Sequence, residues 1–331
     1  MPEIRKDPVF GRWVIIASER GLRPNEFRLG SGPETGGYIC PFCAGNEALT
    51  PPEIYSLTGE KGQWRLRVVR NKYPALEDSG SAENRRSGIY DRMDGMGFHE
   101  VVIETPEHGR QLETMPTEAV ADVVRTFMLR VSAIKKDPRI KYVMIFKNHG
   151  RNAGASLLHP HSQIIAMPMA PLRVMQEIDG AADYHQERGT CVFCDIVKEE
   201  MAFKRRVVAE NADFLAVTPY ASRFSFETWI LPRRHASHFE EMPAEQAVTL
   251  AEVIKTALGK LSVSLPDLSY NLIVHTMPVQ EPSAEHYHWH IEIMPKLSHV
   301  AGFEWGTGFY INTVSPEDAA DILNAGKQFK I

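Results

Sequence analysis

Two stretches of the chain, Thr117 to Ile134 and Ala244 to Leu261, repeat apolar side chains every three to four positions, the pattern of a helix with one buried face. Each follows a Met-Pro pair, Met115-Pro116 and Met242-Pro243, and Thr117 is placed to cap the first helix. Behind each comes a short apolar run of strand character, YVMIF at 142–146 and YNLIV at 270–274. Two further runs, HPHSQIIAMP from His159 and HYHWHIEIMP from His286, read as strands that close at proline. The strands cluster without a helix between each pair, which points away from a doubly wound sheet. The expected fold is α+β, a mixed or antiparallel sheet flanked by helices.

The same landmarks recur at one interval. His108 and His235 are 127 positions apart, as are the two Met-Pro pairs, Glu100 and Glu227, and His159 and His286. A fixed offset at several landmarks is the mark of an internal repeat. Two related halves are therefore expected, 1–185 and 186–331, packed as one pseudo-symmetric unit. Each half also carries one C-x-x-C motif upstream, Cys40-Pro-Phe-Cys43 and Cys191-Val-Phe-Cys194, but these lie 151 positions apart, so one half carries an insertion.

Composition narrows the class. With 43% apolar and 24% charged residues over 331 positions, the chain can bury a large core. A net charge of −5 lacks the basic face that general nucleic-acid binding requires. No run approaches the roughly 18 uncharged apolar residues of a membrane span. The opening MPEIRKDPVFGRW has no apolar signal core, so a cytoplasmic, reducing setting is expected. There two C-x-x-C pairs point to metal before disulfides.

Thirteen histidines are available as further ligands. In the first half Cys40, Cys43, His108 and His159 form one candidate set, with His99 as an alternative to His108. The repeat then selects Cys191, Cys194, His235 and His286 in the second. Two thiolates and two imidazoles make a closed tetrahedral zinc shell, so two structural zinc ions per chain are expected, which brace the site and do not activate water.

The chemistry is expected on the strand at His159. Alternation puts His159, His161 and Gln163 on one face. With His159 held by metal, His161 is aimed and free to react, and Gln163 supplies an amide donor beside it. This resembles the histidine-triad superfamily in its transferase branch, where glutamine replaces the last histidine. GASLLHPHSQI looks like the active-site strand of the galactose-1-phosphate uridylyltransferase family, and DPVFGRWVIIASERGLRP, CPFC, NKYPAL, ETPEHGRQL and FKNHG fit that family in order. An imidazole that attacks a phosphate anhydride forms a nucleotidyl-histidine and splits one transfer into two displacements. The departing sugar phosphate is a stable anion with a second pKa of about 6, so it needs no proton from a third histidine.

The resemblance implies further roles. Arg20 and Arg23 match positions near the nucleotide and phosphates, Asn71 one that contacts the nucleoside, and Asn148 and Ser156 polar positions before the histidine strand. It also implies a homodimer. Lys72 stands where the bacterial pattern has an acid, Glu304 where a lysine is expected, and Asn312 is the candidate for a late glutamine. The expected activity is UDP-glucose–hexose-1-phosphate uridylyl transfer by double displacement at His161. The alternatives are an ADP-glucose phosphorylase that takes ADP-glucose and phosphate, and a zinc-stapled nucleotide-binding protein without turnover. In the second half, His286 closes the zinc shell, or Glu177, His275, His288 and His290 form a separate metal site, or His288 is a hydrolytic nucleophile.

Overall fold

The computed structural model describes residues 3–6, 9, 13–16, 39–59, 62–83, 85–87 and 90–329. Its strands in chain order are β1 (Glu3–Lys6), β2 (Trp13–Ile16), β3 (Glu53–Thr58), β4 (Trp64–Arg70), β5 (Arg85–Ser87), β6 (Tyr90–Arg92), β7 (Phe98–Ile103), β8 (Tyr142–His149), β9 (His161–Met167), β10 (Val207–Glu210), β11 (Phe214–Val217), β12 (Thr228–Pro232), β13 (Tyr270–His275), β14 (His290–Pro295) and β15 (Tyr310–Asn312). The helices are α1 (Thr117–Ile134), α2 (Leu172–Arg188), α3 (Val192–Phe203), α4 (Gln246–Ser264), α5 (Gly302–Thr307) and α6 (Pro316–Ala325).

Ten strands form one sheet in the order β10-β11-β12-β14-β13-β8-β9-β7-β4-β3, and every neighbouring pair is antiparallel. The seam at its centre joins β8 to β13, with Asn148 opposite Asn271. Outward from this seam the two arms run in matching succession, β8-β9-β7-β4-β3 on one side and β13-β14-β12-β11-β10 on the other. The fold is α+β, as the strand clustering predicts.

One face of the sheet is covered by α1 and α4, which pack together. Val120, Val124, Phe127 and Val131 of α1 join Leu250, Ile254 and Leu258 of α4 over Val143, Ile145, Ile164, Leu272 and Ile293 in a single buried cluster. The helical period supplies this stripe, and burial of each such side chain contributes about 1.5–3 kcal/mol. The opposite face is covered unequally. On the second arm α2 and α3 cover it through Val174, Ile178, Val192 and Phe193. On the first arm only a small cluster, Val69, Val101 and Ile103 with Phe42 and Trp64, is found there among the described residues. Among the described residues the first histidine strand lines a cleft, while the second lies under α2 and α3.

Two local expectations are corrected. Thr117 is the first residue of α1 and not its cap: Pro116 takes the cap position, and the Thr117 hydroxyl accepts from Lys255 Nζ. Helix α4 begins at Gln246, two residues later than its apolar pattern suggests, because Ala244 N-terminal to it lies in a turn. The turn after β8 depends on Gly150 at φ +78°, where a β-carbon would stand 2.1 Å from Ser269 Oγ and 3.1 Å from its Cα. No helix among the described residues is long and apolar enough to cross a membrane.

Candidate active site and metal centres

Strand β9 lies between β8 and β7, with Phe146 and Val101 both opposite Gln163, and Ile103 opposite His161. Alternation sends Ser162, Ile164 and Ala166 toward the helices and His161 and Gln163 toward the thinly covered face. Beneath the strand, Lys147 is almost wholly buried. It donates to Glu104 at 2.8 Å and to the His161 carbonyl at 3.2 Å, while Ser162 donates to the other Glu104 oxygen at 2.5 Å. This closed charge pair fixes the backbone that carries His161.

The His161 ring donates from Nδ1 to the His159 carbonyl at 2.8 Å, which fixes its tautomer and leaves Nε2 as a lone pair. Phe42, between the first two cysteines, packs edge-on against the ring at 5.3 Å between centroids. Burial, aided by the Lys147 charge, holds the imidazole below its ordinary pKa against the opposing bond to His159. Both the lowered pKa and the Nδ1–H bond favour a neutral ring with its lone pair on Nε2.

Gln163 sits in a small network. Its Oε1 accepts from His99 Nε2 at 2.8 Å and from Asn71 Nδ2 at 3.4 Å. The Ala75 amide donates to His99 Nδ1 at 3.0 Å. His99 is thus not an alternative zinc ligand but a neighbour of Gln163, one diagonal step across the β7–β9 ladder. The sequence reading missed this role, whose only signal was the shared parity of His99, Val101 and Ile103 on β7.

A cleft of about 910 Å³ opens over this face. His161, Gln163, Asn71, Ser156, Arg151 and Lys72 line it together, so His161, Gln163, Asn71 and Ser156 from the predicted set converge. Asn148 stands at the sheet seam, where its Oδ1 accepts from Asn271 Nδ2 at 2.8 Å; the same Asn271 amide donates to the Ala153 carbonyl at 2.9 Å and so ties down the loop that bears Ser156. Arg20 and Arg23 lie outside the described residues. Asn312 is buried and holds the Ser222 and Phe224 carbonyls, and Glu304 closes the first turn of α5 through the Ala301 amide, so each has a local structural task.

The metal sets assemble with one correction. Cys40, Cys43, His108 and His159 bring their donor atoms within 4.8 Å of one another. The second group is Cys191, Cys194, His235 and His288, not His286. The offset explains the error. Phe146 faces Gln163 and Ile273 faces Glu292, so β13 follows β8 by 127 positions while β14 follows β9 by 129. The loop before β14 holds two extra residues, and the histidine equivalent to His159 is His288. His286 is half-buried elsewhere, 6.5 Å from the His185 ring.

Both groups fit a tetrahedral ion. Cys43 Sγ lies 3.3 Å from His108 Nδ1 and 3.6 Å from His159 Nδ1, and Cys194 Sγ 3.4 Å from His235 Nδ1 and 3.6 Å from His288 Nδ1. Bonds of about 2.3 Å to sulfur and 2.1 Å to nitrogen place such donors about 3.6 Å apart. His159 Nε2 donates to the Thr105 carbonyl at 2.7 Å and His235 Nε2 to the Ala284 carbonyl at 2.9 Å, so their Nδ1 lone pairs point at the cysteines.

The second histidine strand is closed off. His288 and His290 are wholly buried, and the Phe193 and Trp229 rings lie 4.9 and 5.2 Å from His290. A hydrolytic His288 is excluded, since its Nδ1 faces Cys194 under that cover. Glu177, His275 and His290 form a third donor group beside it. Burial alone would depress His275, but the Glu177 and Glu292 carboxylates outweigh it and push the imidazole up to about 10.

Residues 1–171 match the family model for the N-terminal domain of galactose-1-phosphate uridyl transferase, and 107–327 match a domain of unknown function. An ADP-glucose phosphorylase of Arabidopsis thaliana is 39% identical over 97% of this chain and 92% of its own. A galactose-1-phosphate uridylyltransferase of Thermotoga maritima is 31% identical over 98% of both. Among solved structures, an ADP-glucose phosphorylase from Arabidopsis thaliana with bound ADP-glucose superposes with a TM-score of 0.85 at 37% identity, over 98% of this chain and 99% of that one. A uridylyltransferase mutant gives 0.78 at 29% identity, over 98% and 97%. With residues 1–171 matched by the family model and relatives of 31–39% identity over 97–98% of its length, the chain belongs to the galactose-1-phosphate uridylyltransferase family.

Proposed function

We propose that the protein is a nucleotidyltransferase that passes a nucleoside monophosphate from a nucleoside-diphosphate glucose to an acceptor through His161. The observation that carries this reading is the Nδ1–H bond from His161 to the His159 carbonyl, which leaves the lone pair on Nε2 of a ring that lines the cleft of about 910 Å³ beside Gln163. In the first step Nε2 attacks the α-phosphorus, the bond to the bridging oxygen breaks, and glucose 1-phosphate departs as an anion. The imidazole gains positive charge as the P–N bond forms, and the His159 carbonyl on Nδ1 stabilises that charge. The Gln163 amide donates to the phosphoryl oxygens, and Ser156 and Arg151 at the cleft wall meet the distal phosphate. In the second step an acceptor phosphate oxygen attacks phosphorus and the P–N bond returns its electrons to Nε2.

Two donor–acceptor pairs suit this chemistry. Uridylyl transfer from UDP-glucose to a hexose 1-phosphate is the reading that the sequence favours. ADP-glucose with inorganic phosphate is favoured here, because similarity to the ADP-glucose phosphorylase is the greater both in identity and in superposition, and because Lys72 puts a cation at the cleft wall. Exchange assays separate them: ADP-glucose with phosphate yields ADP and glucose 1-phosphate, and UDP-glucose with galactose 1-phosphate runs at least tenfold more slowly. The reverse ranking restores the uridylyltransferase. Tight nucleotide binding with no turnover in either pair supports the non-catalytic alternative.

The two Cys2His2 groups are read as zinc sites that brace the site, Cys40, Cys43, His108 and His159 holding one ion and Cys191, Cys194, His235 and His288 the other. Elemental analysis of the purified protein gives two zinc per chain on this reading. Cys43→Ser and Cys194→Ser each give one, while His286→Ala keeps both. A content of two in Cys194→Ser contradicts the assignment.

A further inference from the structure

We propose that His99 is a positioning residue that turns the Gln163 amide so that its N–H group, and not its oxygen, faces the transferred phosphoryl group. This deepens the proposed function and rests on it. A glutamine amide is nearly symmetric in shape, and its last torsion has two wells of similar energy half a turn apart. One well offers two N–H donors to a phosphoryl oxygen and the other offers a lone pair that repels it. Something must choose.

The structure supplies a donor for the oxygen end. His99 Nε2 lies 2.8 Å from Gln163 Oε1, and Asn71 Nδ2 lies 3.1 Å from His99 Nε2 and 3.4 Å from the same oxygen, so both N–H groups converge on it. The direction of the shorter bond is fixed from behind, because the Ala75 amide donates to His99 Nδ1 at 3.0 Å and so requires the proton on Nε2. Burial holds the ring below its ordinary pKa, consistent with the neutral form that this relay needs. His99 lines a cavity of about 350 Å³ that adjoins the cleft through Arg70 and Asn71, whereas Gln163 lines the cleft itself. The imidazole therefore acts on the reaction through the amide and not on the substrate.

The test uses the full-length protein and three replacements. His99→Leu removes the donor, His99→Gln puts an amide nitrogen near the position of Nε2, and His99→Asn puts one near Nδ1, where it cannot reach Gln163. Loss of one directing hydrogen bond predicts a fall in kcat of about tenfold in His99→Leu, with KM for ADP-glucose within about twofold. His99→Gln stays within about threefold of the parent, and His99→Asn falls with His99→Leu. In a Gln163→Ala background, His99→Leu costs less than about twofold more, because the group it positions is gone. Equal kcat in the Gln and Asn variants, or a full additive loss in the Gln163→Ala background, overturns the positioning role while the nucleotidyl-histidine stands. If the parent protein forms no nucleotide adduct on His161 with ADP-glucose or UDP-glucose, the proposed function fails and this inference falls with it.

Discussion

His161→Ala loses at least about 10⁴-fold in transfer activity and takes up no nucleotide covalently, because the group that would form the P–N bond is absent. The parent protein, mixed with the sugar nucleotide alone and digested under neutral or basic conditions, carries a nucleoside monophosphate on the peptide that contains His161. Intact mass and peptide mapping read both results. The effect is expected to be chemical and not structural: among the described residues the His161 ring makes one hydrogen bond, to the His159 carbonyl, and packs against Phe42, while Lys147 and Glu104 hold the strand from the other face. Metal content should stay at the parent value. The pH profile gives a second check. Since burial lowers the pKa of His161, protonation quenches the nucleophile only below the ordinary imidazole value of 6.5, so the acidic limb of adduct formation lies under pH 6.5. Wild-type activity in His161→Ala, or an adduct on another residue, removes the basis of the enzymatic reading.

The elements were legible where one periodicity governed a whole segment. Apolar spacing marked α1 to its observed ends, and alternation on β9 separated His161 and Gln163 from Ser162 and Ile164 without reference to a fold. Where spacing alone had to carry a contact, it failed by the length of one loop. His286 satisfied the 127-residue offset, but two added residues before β14 moved the ligand to His288. No residue in HYHWH announces which of its three histidines meets Cys194, since only the pairing of β14 with β13 sets the register. His99 was hidden for a related reason. Its contact with Gln163 crosses two strands 64 residues apart in sequence, and a histidine near a C-x-x-C motif reads as a ligand until the ladder places it. Asn271, which holds both Asn148 and the Ser156 loop, comes from the opposite arm of the sheet and has no local signature at all.

The two arms of the sheet put one ladder position to different uses, and this leads to the second large effect. Glu292 on β14 occupies the place that Gln163 occupies on β9, two residues beyond its histidine, but α2 and α3 cover it. A buried carboxylate requires a partner, and Arg223 provides one. Its Nη2 lies 2.5 Å from Glu292 Oε2 and 3.2 Å from Glu227 Oε1, with the whole side chain buried. Burial alone would raise Glu292, but the Arg223 charge, with that of His275, holds it well below the usual carboxylate range. Removing one member of such a pair leaves an uncompensated buried charge. Arg223→Met is therefore expected to destabilise the protein by about 3–5 kcal/mol in urea unfolding. Glu227 tolerates the loss better than Glu292, because the Arg223 and Phe224 amides and Trp229 Nε1 still donate to it. It follows that adding Glu292→Gln, which places there the amide that Gln163 carries on the other arm and removes the stranded charge, recovers a substantial part of the loss. If Arg223→Met unfolds within 1 kcal/mol of the parent, or the double variant is no more stable than the single, then Glu292 is held by other groups and the burial of this arm does not depend on the pair.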